Sequence, residues 1–223
     1  MSNYQRITNP VYRGFRIQAS RGKPCRSDVL DGLFRIFEDA FAQRKRHLLV
    51  RFDLRLPSDH GFADPHEPFG RFIESYIKNR RREQHDPRFL WCREQDPGTG
   101  SPPHWHLACL FAANKTEAPT EHLREATRLW GVALRHPEPK GLVHYCTSGD
   151  GSCVTGILLN SAKPGFEHDL RDCMYWISYL AKLEGKGNAP MGTREWGCSQ
   201  SRSGSKPRPL EELLKPVFVP TPF

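Results

Sequence analysis

The sequence predicts an α+β domain in which an antiparallel central sheet is flanked by helices. Three observations lead there. Segments with helical spacing of apolar residues are interleaved with segments of strict two-residue alternation. Two of the alternating segments are joined by a Gly/Pro-rich turn, as in an antiparallel hairpin. The 223 residues, 37% of them hydrophobic, suffice for one sizeable core. Three regions are expected: a basic N-terminal arm over 1–26, one folded domain over 27–200, and a Pro/Ser/Lys-rich tail over 201–223.

Residues 1–26 read as irregular. Val29, Leu30, Leu33, Phe34, Ile36, Phe37 and Phe41 then recur at helical spacing, up to a basic end at Arg44, Lys45 and Arg46. The stretch HLLVRFDLRLP alternates, with Leu48, Val50, Phe52, Leu54 and Leu56 facing one way and Arg51, Asp53 and Arg55 the other, so a strand with one buried face is expected. A helix follows from Pro68 to about Glu83, ending in Arg80, Arg81 and Arg82. RFLWCRE, the turn DPGTGSPP and HWHLACLF make the hairpin. Beyond it the pattern predicts a helix around Glu121 to Leu134, short strands at GLVHYC and CVTGILL, and a helix from about Asp169 to Leu183. Helices interleaved with antiparallel strands are expected to pack mainly on one face of the sheet.

Composition narrows the classes. Lys and Arg total 33 against 25 Asp and Glu, a formal charge of +8 that favours a polyanionic partner without identifying one. Seven cysteines, with no C-x-x-C pair, suggest reduced thiols and neither a disulfide framework nor a zinc ribbon. No apolar run approaches the ~20 residues that would cross a bilayer, so a cytoplasmic protein without a membrane partner is expected.

In HWHLACLF the alternation puts His104, His106, Ala108 and Leu110 on one face and the apolar Trp105, Leu107, Cys109 and Phe111 on the other. Two imidazoles one pleat apart are close enough to share a divalent ion. Glu94, on the preceding strand, points toward them across the hairpin as an oxygen ligand. Asp53 is the alternative third ligand, or an outer partner to a histidine. Two imidazoles and a carboxylate with open positions suit Mg²⁺ or Mn²⁺ on a phosphate better than closed structural zinc. A His-x-His strand by itself is more often only a polar face.

In HDLRDCMYWISYLAKLEGK a helical wheel groups Leu170, Cys173, Met174, Ile177, Leu180 and Ala181 as a core stripe. Tyr175, Tyr179 and Lys182 fall on the opposite ridge. A phenol with an ordinary pKa near ~10 needs a cation or base nearby to act as a nucleophile, and Lys182 lies a turn from Tyr179. The bland alternative is that both tyrosines merely cap the edge of the core.

HWHLACLF resembles the His-hydrophobe-His motif of the HUH endonucleases, and YWISYLAK resembles the two-tyrosine helix of their replication-initiator branch. With RFDLRLP and WCRE in the same order, the chain resembles inovirus-type replication proteins, related to filamentous-phage gene II protein and to YagK/YfjJ-type proteins, over roughly residues 45–200. REWGCSQSR also resembles a stretch of that family. The resemblance implies an HUH/RRM-like palm over 27–200, with the sheet holding the metal histidines and a helix presenting the nucleophile. It also implies a bacterial or phage-infected cell as the setting.

The expected activity is metal-dependent nicking and rejoining of one DNA strand to initiate rolling-circle replication. Tyr179 would attack first and Tyr175 second, through a 5′-phosphotyrosine, with Lys182 beside both. Arg51 and Arg55 would meet phosphates. The expected partners are single-stranded or extruded origin DNA, with a host helicase and DNA polymerase, because no P-loop motif is present. The alternatives are an HUH transposase or relaxase using the same chemistry, and a basic DNA-binding regulator with a vestigial site.

Overall fold

The computed structural model describes residues 4–59, 61–96, 98, 101–136, 139–147, 155–201, 207 and 209–214. Parts of the Gly/Pro turn before His104, the start of the CVTGILL segment with Cys153, and most of the C-terminal tail lie outside the described residues.

The N-terminal segment departs from the irregular arm expected of it. It forms short strands β1 (Arg6–Ile7), β2 (Val11–Tyr12), β3 (Phe15–Arg16) and β4 (Cys25–Arg26), with β1 antiparallel to β4 and β2 to β3. Phe15, Ile17 and Cys25 are buried in the main core, with Phe15 edge-on to Phe34 at a 5.3 Å ring separation. Scattered apolar residues in a basic stretch have no period to reveal this. They are recruited by a core that the later helices build.

Helix α1 (Ser27–Gln43) lays Val29, Leu30, Leu33, Phe34, Ile36 and Phe37 onto the sheet. Strand β5 (Arg46–Arg55) follows, then α2 (His66–Arg82), β6 (Arg88–Glu94), β7 (His104–Ala112) and α3 (Pro119–Leu134). The chain continues through β8 (Val143–Tyr145), β9 (Gly156–Asn160), α4 (Phe166–Ile177), a 3₁₀ turn at Ser178–Ala181 and β10 (Trp196–Cys198). Strand order is β10-β6-β7-β5, and the far edge of β5 is shared by β8 and β9. Every pairing described in this sheet is antiparallel. This is an α+β fold with a central sheet and flanking helices. Among the described residues no helix is long and apolar enough to cross a membrane.

The helices cover both faces of the sheet, where the sequence suggested mainly one. Leu48, Val50, Phe52, Leu54, Trp105, Leu107, Cys109 and Phe111 form one core with α2 and α3. On the opposite face Leu49, Leu90, Cys92, Ala108 and Leu110 form a second core with α1 and α4. Strand β5 is accordingly buried on both sides from His47 to Leu54, not on one. The second core arises because the histidine face turns apolar away from the histidines, at Ala108 and Leu110. Approach there is close: a Cβ on Gly32 of α1 would come within 2.9 Å of Leu90 and 2.8 Å of Trp196.

Buried ion pairs fasten the periphery. Arg88 of β6 pairs with Asp39 of α1, both almost inaccessible, and Arg26 bridges Asp28 at 2.9 Å and Glu195 at 2.7 Å. Near the C-terminus Leu210 is fully buried in the main core, and Glu211 pairs with Arg13 at 2.7 Å.

Because Phe15 is wholly enclosed, Phe15→Ala is expected to destabilise the fold by about 3–5 kcal/mol, the usual cost of emptying a buried phenylalanine site. Urea unfolding checks this. A residue on a loose arm would change stability by a few tenths of a kcal/mol at most.

Candidate metal and nucleophile site

The polar end of the histidine face is assembled by register. On β7, His104 stands opposite Arg55 of β5 and Glu94 of β6, while His106 stands opposite Asp53 and Cys92. Since side chains alternate across a strand, His104, His106, Asp53, Arg55 and Glu94 all project from the same face. The ligand atoms of Glu94, His104 and His106 lie within 4.8 Å of one another. The imidazole centroids of His104 and His106 are 4.8 Å apart.

The two carboxylates that the sequence left as alternatives take different places. Asp53 Oδ1 accepts from Nδ1 of His106 at 2.7 Å, and Glu94 Oε2 lies 3.0 Å from its Nε2. Nδ1 is thus engaged by an outer carboxylate, and Nε2 points into the group that includes Glu94 and His104. That is the pattern by which proteins fix the tautomer of a metal-binding histidine. Two imidazoles and one carboxylate, with Asp53 behind, fit a divalent ion with open positions.

Two residues that the sequence reading missed complete this end. Lys186 is buried and donates to Glu94 at 3.2 Å. Gly185 has φ +71°, and a Cβ there would lie 2.4 Å from Cγ of Glu94. The Gly-Lys-Gly run at 185–187 was the available signal, since glycines on both sides let the chain bend an ammonium back toward a carboxylate.

The tyrosine segment differs from the continuous helix to Leu183. Helix α4 stops at Ile177, and Lys182 sits beyond the 3₁₀ turn, where its backbone bridges Cys25. The cause is tertiary. Gln18 donates from its amide side chain to the carbonyls of Tyr175 and Trp176, and Ser178 Oγ donates to the Tyr175 carbonyl while accepting from the Gln18 backbone. The last carbonyls of α4 are therefore satisfied by the N-terminal segment instead of another α-helical turn.

This ending separates the two tyrosines. Tyr179 packs against His106 with ring centroids 5.3 Å apart, and the Arg51 guanidinium and the Lys182 ammonium each lie 4.5 Å from its ring centre. Tyr175 is more exposed, with Arg16 4.9 Å over its ring. Arg51, expected on an open phosphate-facing surface, is instead covered by Trp176 and Tyr179 and is 8% exposed. Its Nη1 reaches the Trp176 carbonyl at 3.4 Å, and its Nε has no hydrogen-bond partner among the described residues. Arg55 stays at the exposed end of β5.

The electrostatics follow from burial and pairing. Burial pushes the Glu94 carboxyl up, but the His106 hydrogen bond and the Lys186 charge outweigh it and hold the pKa at about 2. Asp53 is likewise held low against burial by His106. Burial alone would lower His106, yet its two carboxylates raise it; His104 is lowered by burial and by His106. Burial and the Glu94 charge raise the Tyr179 phenol, with Arg51 opposing them. Burial lowers Lys182.

A second His/carboxylate group, Glu83, His85 and Glu121, lies at the α2–α3 junction. There the buried Arg80 already reaches Glu83 at 2.5 Å and lies 4.0 Å from Glu121. A divalent ion would have to share that space with a guanidinium, so the group reads as an ion-pair network.

A family model described as the YagK/YfjJ C-terminal domain matches residues 8–199. No curated protein and no solved structure matches the chain.

Two outcomes follow for the metal-free and metal-loaded chain. His106, raised in the fold, adds stability that is complete below its ordinary value of 6.5 and lost as pH rises through the raised value. Glu94, depressed in the fold, adds stability that is present above 4.5 and lost as pH falls toward about 2. Thermal unfolding in EDTA should therefore show this contribution at its greatest between those two ordinary values. Mn²⁺ affinity by calorimetry should instead rise with pH through the raised His106 value, because Nε2 must give up its proton. Gly185→Ala, which displaces Glu94, should weaken Mn²⁺ by roughly tenfold or more.

Proposed function

From the fact that this chain belongs to the YagK/YfjJ C-terminal domain family, and from the site above, we propose that it is a metal-dependent HUH-type endonuclease and strand transferase. In this reading it nicks one DNA strand to start rolling-circle replication of a phage, plasmid or integrated element. The observation that carries the reading is the packing of Tyr179 against His106, which sets a phenol beside three ligands suited to a divalent ion.

His104, His106 and Glu94 would hold Mg²⁺ or Mn²⁺, which when bound polarises a non-bridging oxygen of the scissile phosphate. Asp53 keeps the proton on Nδ1 of His106, so that Nε2, once it has given up its own proton, is the nitrogen that faces the ion. Arg51 and Lys182 flank the Tyr179 ring and favour charge developing on its oxygen. The Tyr179 oxygen attacks phosphorus. A Tyr–O–P bond forms as the bond from phosphorus to the 3′ oxygen breaks, and the phenolic proton ends on the freed 3′ hydroxyl. One phosphodiester is exchanged for another, so rejoining needs no nucleotide cofactor.

Single-stranded or extruded origin DNA is the substrate in this reading. The 3′ hydroxyl primes a host polymerase working behind a host helicase. Tyr175, at the more exposed rim beneath Arg16, makes the second attack that releases a closed circle.

The test is covalent capture of single-stranded oligonucleotides in Mn²⁺, with mass spectrometry of the modified tyrosine. Tyr179→Phe keeps the ring against His106 and deletes the nucleophile, so it is expected to fold normally and lose the adduct. Tyr175→Phe is expected to keep first cleavage and impair strand closure. His104→Ala with His106→Ala should cut cleavage by about 100-fold or more while retaining most DNA affinity. An adduct persisting in the double Phe variant would show that the nucleophile lies elsewhere.

A further inference from the structure

The segment Arg194–Ser201 lines a cavity that the proposed chemistry does not use. The cavity measures about 1060 Å³ and lies between the N-terminus, α1 and the edge strand β10; its wall includes Tyr4, Arg26, Arg35, Arg194, Trp196 and Gln200. Its charges are unequally committed. Glu195 is taken up by Arg26 at 2.7 Å and by the Gly187 backbone N–H at 2.6 Å, and Arg26 is also held by Asp28. Arg35 and Arg194 are exposed; Arg35 donates from Nη2 to Cys198 Sγ at 2.6 Å, and neither has a carboxylate partner among the described residues, so the cavity presents two guanidiniums whose charge is not neutralised to an incoming anion.

Its position is fixed by strand register. Trp196 stands opposite Cys92, and Cys92 stands opposite His106, all on one sheet face. Two strand spacings place Trp196 about 10 Å from His106. The Gly-Lys-Gly strap at 185–187 joins the cavity to the metal ligands, since Lys186 donates to Glu94 while the adjoining Gly187 lines the cavity. Just after the strap, Asn188 donates to the Gln95 carbonyl at 3.1 Å.

We infer that this cavity binds a single-stranded DNA segment flanking the scissile phosphate, with Arg35 and Arg194 on backbone phosphates and, as stacking surfaces, the open sides of two part-exposed rings: Tyr4, backed by the Arg26 guanidinium 4.1 Å from its centre, and Trp196, anchored by its indole N–H on Asp28 at 3.0 Å. A charged groove with aromatic side chains is how single strands are bound without base-specific contacts. Positive charge selects a polyanion, and the rings favour unpaired bases over a duplex, whose bases are stacked on each other. The inference rests on the proposed DNA-nicking function for its choice of ligand. It goes beyond that function in assigning the substrate a second point of attachment, some 10 Å from the chemistry.

The experiment measures fluorescence anisotropy of a labelled oligothymidylate with the full chain in EDTA, so that binding is read without cleavage. Arg35→Ala with Arg194→Ala is compared with Arg81→Ala with Arg82→Ala, which removes the same charge from the end of α2 on the opposite face. All four side chains are exposed, and equal melting temperatures confirm intact folds. The groove variant is expected to bind about tenfold more weakly or worse. Its log–log salt slope should be shallower by about 1.4, at roughly 0.7 per phosphate contact on a single strand. The α2 variant should bind as the wild type does.

Equal losses in the two variants, no loss in the groove variant, a loss confined to duplex DNA, or no single-strand binding by the wild type would each overturn the assignment. Covalent capture by the wild type separates the two ideas. An adduct with an unaffected groove variant removes the groove and leaves the nicking function, whereas a groove-dependent affinity with no adduct in Mn²⁺ removes the function and leaves the groove.

Discussion

The hydrogen-bonded row Asp53–His106–Glu94 is the constraint on which the rest of the site depends. Its members come from β5, β7 and β6, so the row exists only if three strands hold one register. All three groups are largely buried, which makes each expensive without the others. Removing one partner from such a set typically costs about 3–5 kcal/mol, because it strands a charge in the interior. The same row fixes the orientation of the His106 ring and thereby decides which nitrogen is available to a metal.

The sheet tolerates this polar row because it is confined to one end of one face. The other face carries apolar side chains along its length under α2 and α3. On the histidine face the apolar half, at Leu49, Leu90, Ala108 and Leu110, is sealed by α1 and α4. Where that seal stops, the 3₁₀ turn after α4 brings Tyr179 down against His106. Core and chemistry thus share a surface. The helix that closes the hydrophobic half delivers the phenol to the polar half.

That delivery relies on the N-terminal segment. Gln18 occupies the carbonyls at the end of α4, and Cys25 pairs with the backbone of Lys182, so residues far from the site in sequence decide where the helix ends. The consequence is an unequal pair of tyrosines. One lies between two cations beside the histidines, and the other lies toward solvent under Arg16. Arg51 is drawn inward by the same packing, which changes it from a surface charge into a neighbour of the Tyr179 ring.

What the sequence determined by itself was whatever is written as a period. The alternation of HWHLACLF placed both histidines on one face and an apolar stripe on the other, and the hairpin to RFLWCRE let Glu94 point toward the histidines; that it stands opposite His104 is given by the register. The stripe from Leu170 to Ala181 located the helix that carries Tyr175 and the turn after it that carries Tyr179. Periodicity is local and survives without knowledge of neighbours. What only the tertiary structure decided was whatever depends on partners distant in the chain. Asp53 lies on Nδ1 of His106 and Glu94 on Nε2, a choice that needs strand order. Helix α4 ends at Ile177 although its apolar pattern runs on, because Gln18 takes its last carbonyls. Phe15 is buried and Arg51 enclosed because helices pack over them, and Lys186 reaches Glu94 because a glycine-flanked strap folds back. None of these carries a repeat, and each is set by which surfaces meet when both faces of the sheet are covered.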